Sequence, residues 1–444
     1  MSTVRSEWLH AKTEPVAAHG MVTAEHHLAA EAGVEVMRDG GNAVDGAIAA
    51  AFVMNVVEPF TSGIGGIAGL VIRDANGAVT SVQGGTRAPK AARPDMFELL
   101  GGGARSGMYA WPAVKDNANI EGPLSVGVPG QPAALCLALE RYGRLPRDRV
   151  MEPAIRIARE GFEVDWYVSL SLAMYHERLH KAGDAGGIFF RSSGAPLRPP
   201  IGTEPSDKLV QTDLARSLEA VAREGPRVLY EGELGRAIVD GVRACGGVLA
   251  MDDLRGYAAV EEEPLTTMYR GTKVHTLPGL SGGPTVAQTL AILDAFPLGA
   301  QEQGGAEHLH LVAEALRAAF LQRFSSLADH TTHINAVDAD RMMVSLTETL
   351  GQGFGSGFVP KGTGVVLLDT MTWFDPVPDH PNSIAGGKRV LWAGAPTLLT
   401  RGSAPFLAVG APGGRKIMSA VAQSIVNVVD FGDGAQDAVN RPRV

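Results

Sequence analysis

The chain reads as an α+β layered fold whose sheets draw strands from both halves of the sequence. Three observations carry that expectation: an alanine-rich helical hairpin near the start, a tight β-hairpin after it, and a change to short strands beyond Thr331. Residues 27–37 and 43–56 read as two helices, broken at Gly40-Gly41-Asn42, where a C-cap and an N-cap fit. Residues 70–73 and 79–83 flank Asn76-Gly77, a strong two-residue hairpin signal. Residues 125–320 read as mostly helical, with turns at Tyr142-Gly-Arg-Leu-Pro146, Glu160-Gly-Phe162, Tyr230-Glu-Gly232 and Cys245-Gly-Gly247, and one strand at 273–277. After Thr331 strands are expected at 334–339, 343–349, 364–368 and 406–409, and a helix at 416–429.

Composition narrows the class. A chain of 444 residues, 45% hydrophobic and 20% charged, buries a large core as one big domain or two smaller ones. The formal net charge of −9 comes with no long run of lysine or arginine, which argues against nucleic acid or an anionic membrane and for a small-molecule partner. Fifty-five glycines and 27 prolines, unclustered and aperiodic, indicate a turn-rich compact architecture. Cys136 and Cys245 both sit in apolar surroundings that read as helix interior, hence buried thiols. The first ten residues carry no apolar signal core, and no segment approaches about 18 uninterrupted apolar residues, so the expected location is the cytoplasm.

Chemistry is sought first at Thr331-Thr332-His333, a threonine pair opening an alternating strand, with a hydroxyl-rich strand, Val344-Ser-Leu-Thr-Glu-Thr349, behind it. A buried threonine hydroxyl is a poor nucleophile unless a base adjoins it. One recurrent solution is self-cleavage that turns the threonine's own α-amine into that base.

Rival motifs are weaker. Gly63-Ile-Gly65-Gly66-Ile-Ala68-Gly69 lacks the third glycine of a dinucleotide loop and follows a helix, so it reads as a tight turn. Gly279-Leu280-Ser281-Gly282-Gly283 is a literal nucleophile-elbow pattern before a helix expected at 285–296, but the preceding hundred residues lack alternating β and α units. His308 and His310 point to nearly opposite helix faces, which disfavours joint chelation, and the His310/Glu314 pair reads as packing or a surface hydrogen bond. Asp252-Asp253 and Glu261-Glu262-Glu263 read as solvated turns. Gly410-Ala-Pro-Gly-Gly414 follows a strand and opens a helix, so its amides are candidates to meet an anion, an ordinary turn being the alternative. No metal or organic cofactor is indicated.

Taken in order, these segments resemble the γ-glutamyltranspeptidase family of N-terminal nucleophile hydrolases across nearly the whole chain. The motifs are Gly20-Met-Val-Thr-Ala-Glu-His26, Gly40-Gly-Asn-Ala-Val-Asp45, Val57-Glu-Pro59 with Ser62-Gly-Ile-Gly-Gly66, Ser125-Val-Gly-Val-Pro-Gly130 and Tyr142-Gly-Arg-Leu-Pro146. They continue with Glu314-Ala-Leu-Arg317, Thr331-Thr-His333, Phe354-Gly-Ser-Gly357, Pro381-Asn382, Gly387-Lys-Arg389 and Gly410-Ala-Pro-Gly-Gly414. The resemblance implies a four-layer αββα sandwich and a precursor that cuts itself between His330 and Thr331. Residues 1–330 would then form a large subunit and 331–444 a small one, with further assembly into a dimer of heterodimers left open. It implies Thr331 as nucleophile, Thr349 as the second threonine beside it, and the Gly413 and Gly414 amides as oxyanion hole. Ser281 then falls in a structural turn.

The positions that hold a γ-glutamyl group in the family depart from its pattern. Its arginine falls at Gly85, with Arg87 nearby as a partial substitute; its asparagine becomes Gly351; its glutamine and aspartate become Thr370 and Trp373; its serine pair becomes Trp392-Ala393. Charge-assisted hydrogen bonds are worth about 1.5–3 kcal/mol each, so losing these anchors disfavours a zwitterionic acyl group. The expectation is hydrolysis of a different amide, as in the cephalosporin-acylase-like and oxamate-amidohydrolase-like branches. A true γ-glutamyltransferase or glutathione hydrolase is the first alternative. The chain is also short between Arg323 and Thr331, and ends at Val444 where relatives continue. That keeps open an unprocessed, silent homologue acting as a binding or scaffold protein.

Overall fold

Local chemistry sets up the first layer. Asn42 caps the helix Ala43–Val57 by accepting from the Val44 and Asp45 N–H groups, and Asp45 returns the bond to the Asn42 N–H at 2.8 Å. The computed structural model describes residues 13–107, 110–181, 183–322 and 330–444, with only the backbone described at His330. Strands of the two main sheets are β1 (Gly20–Thr23), β2 (Ile67–Arg73), β3 (Val79–Gly84), β4 (Val260–Glu262), β5 (Leu265–Tyr269), β6 (Thr272–Thr276), β7 (His330–Asp338), β8 (Met343–Gly351), β9 (Thr397–Arg401) and β10 (Ala404–Val409). The helices that cover them include α1 (His27–Arg38), α2 (Ala43–Val57), α3 (Gln131–Tyr142), α4 (Arg147–Glu160), α5 (Thr212–Glu224), α6 (Gly283–Leu293), α7 (Ala306–Gln322) and α8 (Lys416–Val429).

Helix α2 is buried along its whole length, which its run of alanine, valine and glycine permits. It crosses α1 where both backbones thin to glycine: a Cβ at Gly33 would lie 2.7 Å from the Gly46 carbonyl oxygen. Asp45 then ties this hairpin to the turn after α3 by accepting from the Arg144 N–H at 2.9 Å and the Leu145 N–H at 3.1 Å.

The first sheet has the order β1-β7-β8-β2-β3-β4 and the second β10-β9-β6-β5, all antiparallel. Helices α2 and α3 pack on one face of the first sheet, its other face meets the second sheet, and α6 and α8 close the far side. The result is the four-layer αββα sandwich. Ser345 shows how the sheets are joined: its hydroxyl donates to the Val409 carbonyl at 3.1 Å and accepts from the Thr397 N–H at 3.0 Å.

Several expectations need correction. The strand expected at 364–368 does not form: Gly364 takes a φ of 64°, and the segment makes one bridge, Gly65 to Leu367, instead of a ladder. Strand β7 starts at His330 instead of residue 334, because Thr331 to His333 pair fully with β8. Cys136 is buried, and burial pushes its thiol up to about 12; Cys245 is exposed, since it follows the last residue of the helix Glu233–Ala244 on the solvent side. Asp253 is no solvated turn residue: it is buried and accepts from the Ala250 and Lys90 N–H groups. Val260–Glu262 is an exposed edge strand rather than a turn. His308 is buried while His310 is exposed, and Glu314 pairs with Arg317. Residues 323–329, on which the short-tether expectation rests, and the first ten residues lie outside the described residues.

Replacing Asp45 with alanine strips three backbone N–H groups of their acceptor. Each such loss costs about 1–3 kcal/mol, so Asp45→Ala is expected to lower stability by about 3 kcal/mol or more in a denaturant titration.

Candidate active site

Because side chains alternate along a strand, β7 sends Thr331, His333 and Asn335 toward the second sheet and Thr332 and Ile334 toward the helices. Thr331 lies directly opposite Thr349 of β8, and His333 opposite Thr347. Both Thr331 and Thr349 are buried, and the Thr349 hydroxyl accepts from the Gly351 N–H at 2.9 Å. His333 is held at both ring nitrogens, Nδ1 to the Thr347 hydroxyl and Nε2 to the Asn335 side-chain oxygen, each at 3.0 Å. Burial pushes its imidazole down to about 4, so it is neutral at pH 7.

The His333 ring also positions the glycine-rich turn. A Cβ at Gly410 would fall 2.0 Å from that ring, so only glycine lets the end of β10 pass. Beyond it, Gly413 and Gly414 adopt φ of 110° and 61°, and their carbonyls accept from the Lys416 and Ile417 N–H groups to start α8. Among the described residues neither the Gly413 nor the Gly414 N–H meets a backbone carbonyl. Two amides at a helix start are thereby left for an anion. A cavity of about 520 Å³ opens next to this turn, walled by Met21, Thr23, His333, Leu407 and Pro412.

On the other side of Thr349 the structure gathers several positions singled out from the sequence. Gly351 has a φ of 101°, and a Cβ there would lie 1.8 Å from an Asp369 carboxylate oxygen and 3.2 Å from the Trp373 ring. Asp369, which the sequence reading missed, thus fills the space that a side chain at 351 would need. Its carboxylate accepts from the Gln352 N–H. Thr370 shares a 2.8 Å hydrogen bond with Thr86. Trp392 packs on Gly69 of β2, and the Ala393 carbonyl presses on Gly282, so this pair forms a wall from the second-sheet side. Arg87 is not gathered into that group; it stacks over the Tyr257 ring at 5.1 Å. Ser281 is occupied in a turn, donating to the Leu277 carbonyl and accepting from the Gly283 N–H at the start of α6.

The helix-facing side of the same strands holds a buried polar network in which Glu25 and Glu58 lie near Glu348. Glu348, opposite Thr332, is fully buried and accepts from Asn55 at 2.9 Å and Gln131 at 2.7 Å; Gln131 also donates to Asn55 at 2.6 Å. Burial pushes the Glu348 carboxyl up to about 8. Glu58, at the end of α2, is pushed up to about 7, again by burial. A glutamate in an otherwise apolar and hydroxylic strand was the one available signal for this network. Among the described residues no group of three histidine, cysteine or acidic side chains is arranged to hold a metal ion.

The sandwich, with Thr331 near the start of a central strand and on the face toward the second sheet, is that of an N-terminal nucleophile amidohydrolase or acyltransferase. The chain belongs to the γ-glutamyltranspeptidase family, whose model, gamma-glutamyltranspeptidase, matches residues 29–331 and 328–444. It is 34% identical over 480 residues to the Acylase ACY 1 proenzyme of Pseudomonas sp. (strain V22), covering 98% of this chain and 83% of that one. It is 30% identical over 484 residues to the glutathione hydrolase proenzyme of Escherichia coli (strain K12), covering 96% and 81%. Among solved structures it superposes on cephalosporin acylase from Bacillus halodurans with a TM-score of 0.86 at 26% identity, covering 100% of this chain and 86% of that one. The γ-glutamyltranspeptidase of Helicobacter pylori gives 0.63 at 28% identity, covering 70% and 85%. The fold and family expected from the motifs are both borne out.

Glu348 makes stability depend on pH in a stated direction. Its ordinary value is 4.5 and its folded value about 8, so between these the unfolded chain releases a proton that the folded one keeps. The stability that Glu348 contributes should therefore fall as pH rises through that window, by at most about 1.4 kcal/mol per pH unit, and level off above it. Glu348→Gln, which mimics the protonated acid, should make the slope between pH 5 and 8 in thermal unfolding shallower than in the wild type, with a slope remaining from Glu25 and Glu58, whose carboxyls burial pushes up to about 9 and about 7. Parallel profiles for the two proteins would contradict the assignment.

Proposed function

We propose that this protein is a self-processing threonine amidohydrolase that works through an acyl-threonine intermediate and takes an acyl group other than γ-glutamyl. The observation that carries the reading is the inner row in which Thr331 faces Thr349 at the strand start, with the Gly410–Gly414 turn anchored one step away on His333.

In the precursor the Thr331 hydroxyl adds to the His330 carbonyl carbon. The C–N bond breaks, the nitrogen takes the proton, and the acyl group now rides on oxygen as an ester. Water hydrolyses that ester, leaving the His330 carboxylate and a free Thr331 hydroxyl and α-amine. The pairing of β7 with β8 shifts register between His330 and Thr331, where Leu350 is the extra residue on β8, so the ladder is interrupted beside the proposed cut. Residues 1–330 and 331–444 become the two subunits of one integrated sandwich.

In the processed enzyme the α-amine, with an ordinary pKa of about 7.7–8.0, accepts the Thr331 hydroxyl proton as the oxygen attacks a substrate amide. The Gly413 and Gly414 N–H groups stabilise the tetrahedral oxyanion, each donor worth about 3 kcal/mol in sites of this type. Thr349 orients the nucleophile from the opposite strand. The ammonium then protonates the departing amine, and water, activated by the same α-amine, releases the acid.

The altered acyl group is supported by what surrounds Thr349. Position 351 leaves no room for an asparagine side chain beside Asp369, and Thr370, Trp373 and Trp392 are all buried in a mostly apolar wall.

Denaturing electrophoresis tests processing: the wild type should give two bands and Thr331→Ala one. A single wild-type band would favour the unprocessed scaffold reading. With γ-glutamyl-p-nitroanilide, turnover should be weak, at least about 100-fold below an amide with a better-fitting acyl group, since two or more charge-assisted anchors are missing. Ordinary γ-glutamyl turnover would sink the altered-specificity claim.

A further inference from the structure

We propose that the cavity of about 520 Å³ beside the glycine-rich turn is the subsite for the amine half of the substrate, and that it takes an apolar amine without a carboxylate. The proposal rests on the amidohydrolase reading above, which puts the acyl group on the opposite side of Thr331.

Stereochemistry decides which side is left for the amine. The carbon attacked by Thr331 carries the Thr331 oxygen, an oxyanion, the acyl chain and the departing nitrogen. On that reading the oxyanion meets the Gly413 and Gly414 amides, and the acyl chain runs past Thr349 toward Gly351, on the β8 side of β7. In the sheet order β7 lies between β1 and β8, so the nitrogen and what it carries are left the β1 side.

The β1 side is open at this level. Strand β1 pairs with β7 only from Gly20, opposite Asp338, to Thr23, opposite Asn335, so among the described residues no strand covers the edge of β7 beside Thr331 and His333. Ala24 and Glu25 turn away toward α1 and form the outer rim of the cavity. Strand β10 is likewise the edge of the second sheet. The cavity is the gap between these two sheet edges, closed at its far end by Val428 of α8 and Val439 of the helix Ala435–Asn440.

Reach fits as well. His333 stands two residues from Thr331 on the same face, about 7 Å along β7. It lines the cavity together with Gly410 and Pro412 of the turn. An alkyl chain of about four carbons carries a ring from the nitrogen past His333 into the cavity.

The lining decides the class of amine. Its walls are mostly apolar, with Met21, Leu407 and Val409 facing one another and the Thr23 and Ser424 hydroxyls among them, the usual make-up of a small-molecule site. Among the described residues no lysine or arginine lines it, and His333, pushed down to about 4 by burial, is neutral. Glu14 sits at the rim, accepting from the Ala435 N–H at 2.9 Å. Glu25, pushed up to about 9 by burial, is protonated near neutral pH. A carboxylate on the amine half would lose its water here and meet Glu14 without a cation, whereas an apolar body gains by burial.

The test compares pentanoyl amides of phenylbutylamine and of 5-aminopentanoate with the processed enzyme, the acyl group being the same in both. The wild type should favour the phenylbutyl amide in kcat/KM by roughly tenfold or more. The ratio should fall toward one in Val439→Trp, which fills the cavity from a half-exposed position and leaves folding intact. Phenylbutyryl methylamide carries the ring on the acyl half and should be indifferent to that substitution. Glu14→Lys should raise kcat/KM for the aminopentanoate amide, a gain that damage to the fold does not produce. Calorimetric binding of phenylbutylamine needs no chemistry and should weaken in Val439→Trp by a factor similar to the fall in the ratio. A ratio unchanged in Val439→Trp, an effect of that variant that follows the ring to the acyl half, or phenylbutylamine binding that ignores Val439 overturns the subsite. No gain in Glu14→Lys overturns the stated preference against carboxylates. Phenylbutylamine bound in the cavity by a chain that stays uncut at Thr331 keeps the cavity and removes the amidohydrolase reading.

Discussion

Register between β7 and β8 is the constraint on which the rest of the site depends. With a side-chain period of two, a slip of one residue would move Thr331 to the helix face if β7 shifted, or put Glu348 between the sheets if β8 did. Two sets of interactions hold the register from opposite faces. Between the sheets, His333 is fixed to Thr347 and Asn335, and Ser345 reaches both β9 and the end of β10. Toward the helices, Glu348 is clamped by Asn55 of α2 and Gln131 of α3. The arrangement of the candidate site is therefore secured by polar bonds that are costly to leave half-made in a dry interior.

The same register bears on the change of acyl pocket proposed above. Gly351 sits just past Thr349 with a positive φ, and Asp369 and Trp373 close over it. Gly69, opposite Thr347, lets Trp392 lie on the sheet. These are mutually dependent close packings, so restoring one family residue at a time would create overlap before it created a contact.

Much of the fold was legible because its signals are local. The Gly40-Gly41-Asn42 break, the Asn76-Gly77 hairpin and the helix at 416–429 each depend on residues a few positions apart, and each appears as expected. The strand at 364–368 failed because an apolar run cannot announce whether a partner strand exists; its glycine turn and single bridge are tertiary outcomes. Within the site, the threonines and the glycine turn were readable as motifs. Asp369 beneath Gly351 and the Asn55–Gln131–Glu348 clamp were not, because their members lie far apart in the chain and meet only in the folded sandwich.

The central claim is that Thr331 is both the product of cleavage and the attacking group. Its most direct test is intact-mass and peptide mapping of protein trapped with a slowly deacylating amide or ester. The account predicts a chain of residues 331–444 carrying one acyl adduct, located on Thr331. An adduct on another residue, such as Ser281, or turnover by an uncut chain of 444 residues, would contradict it.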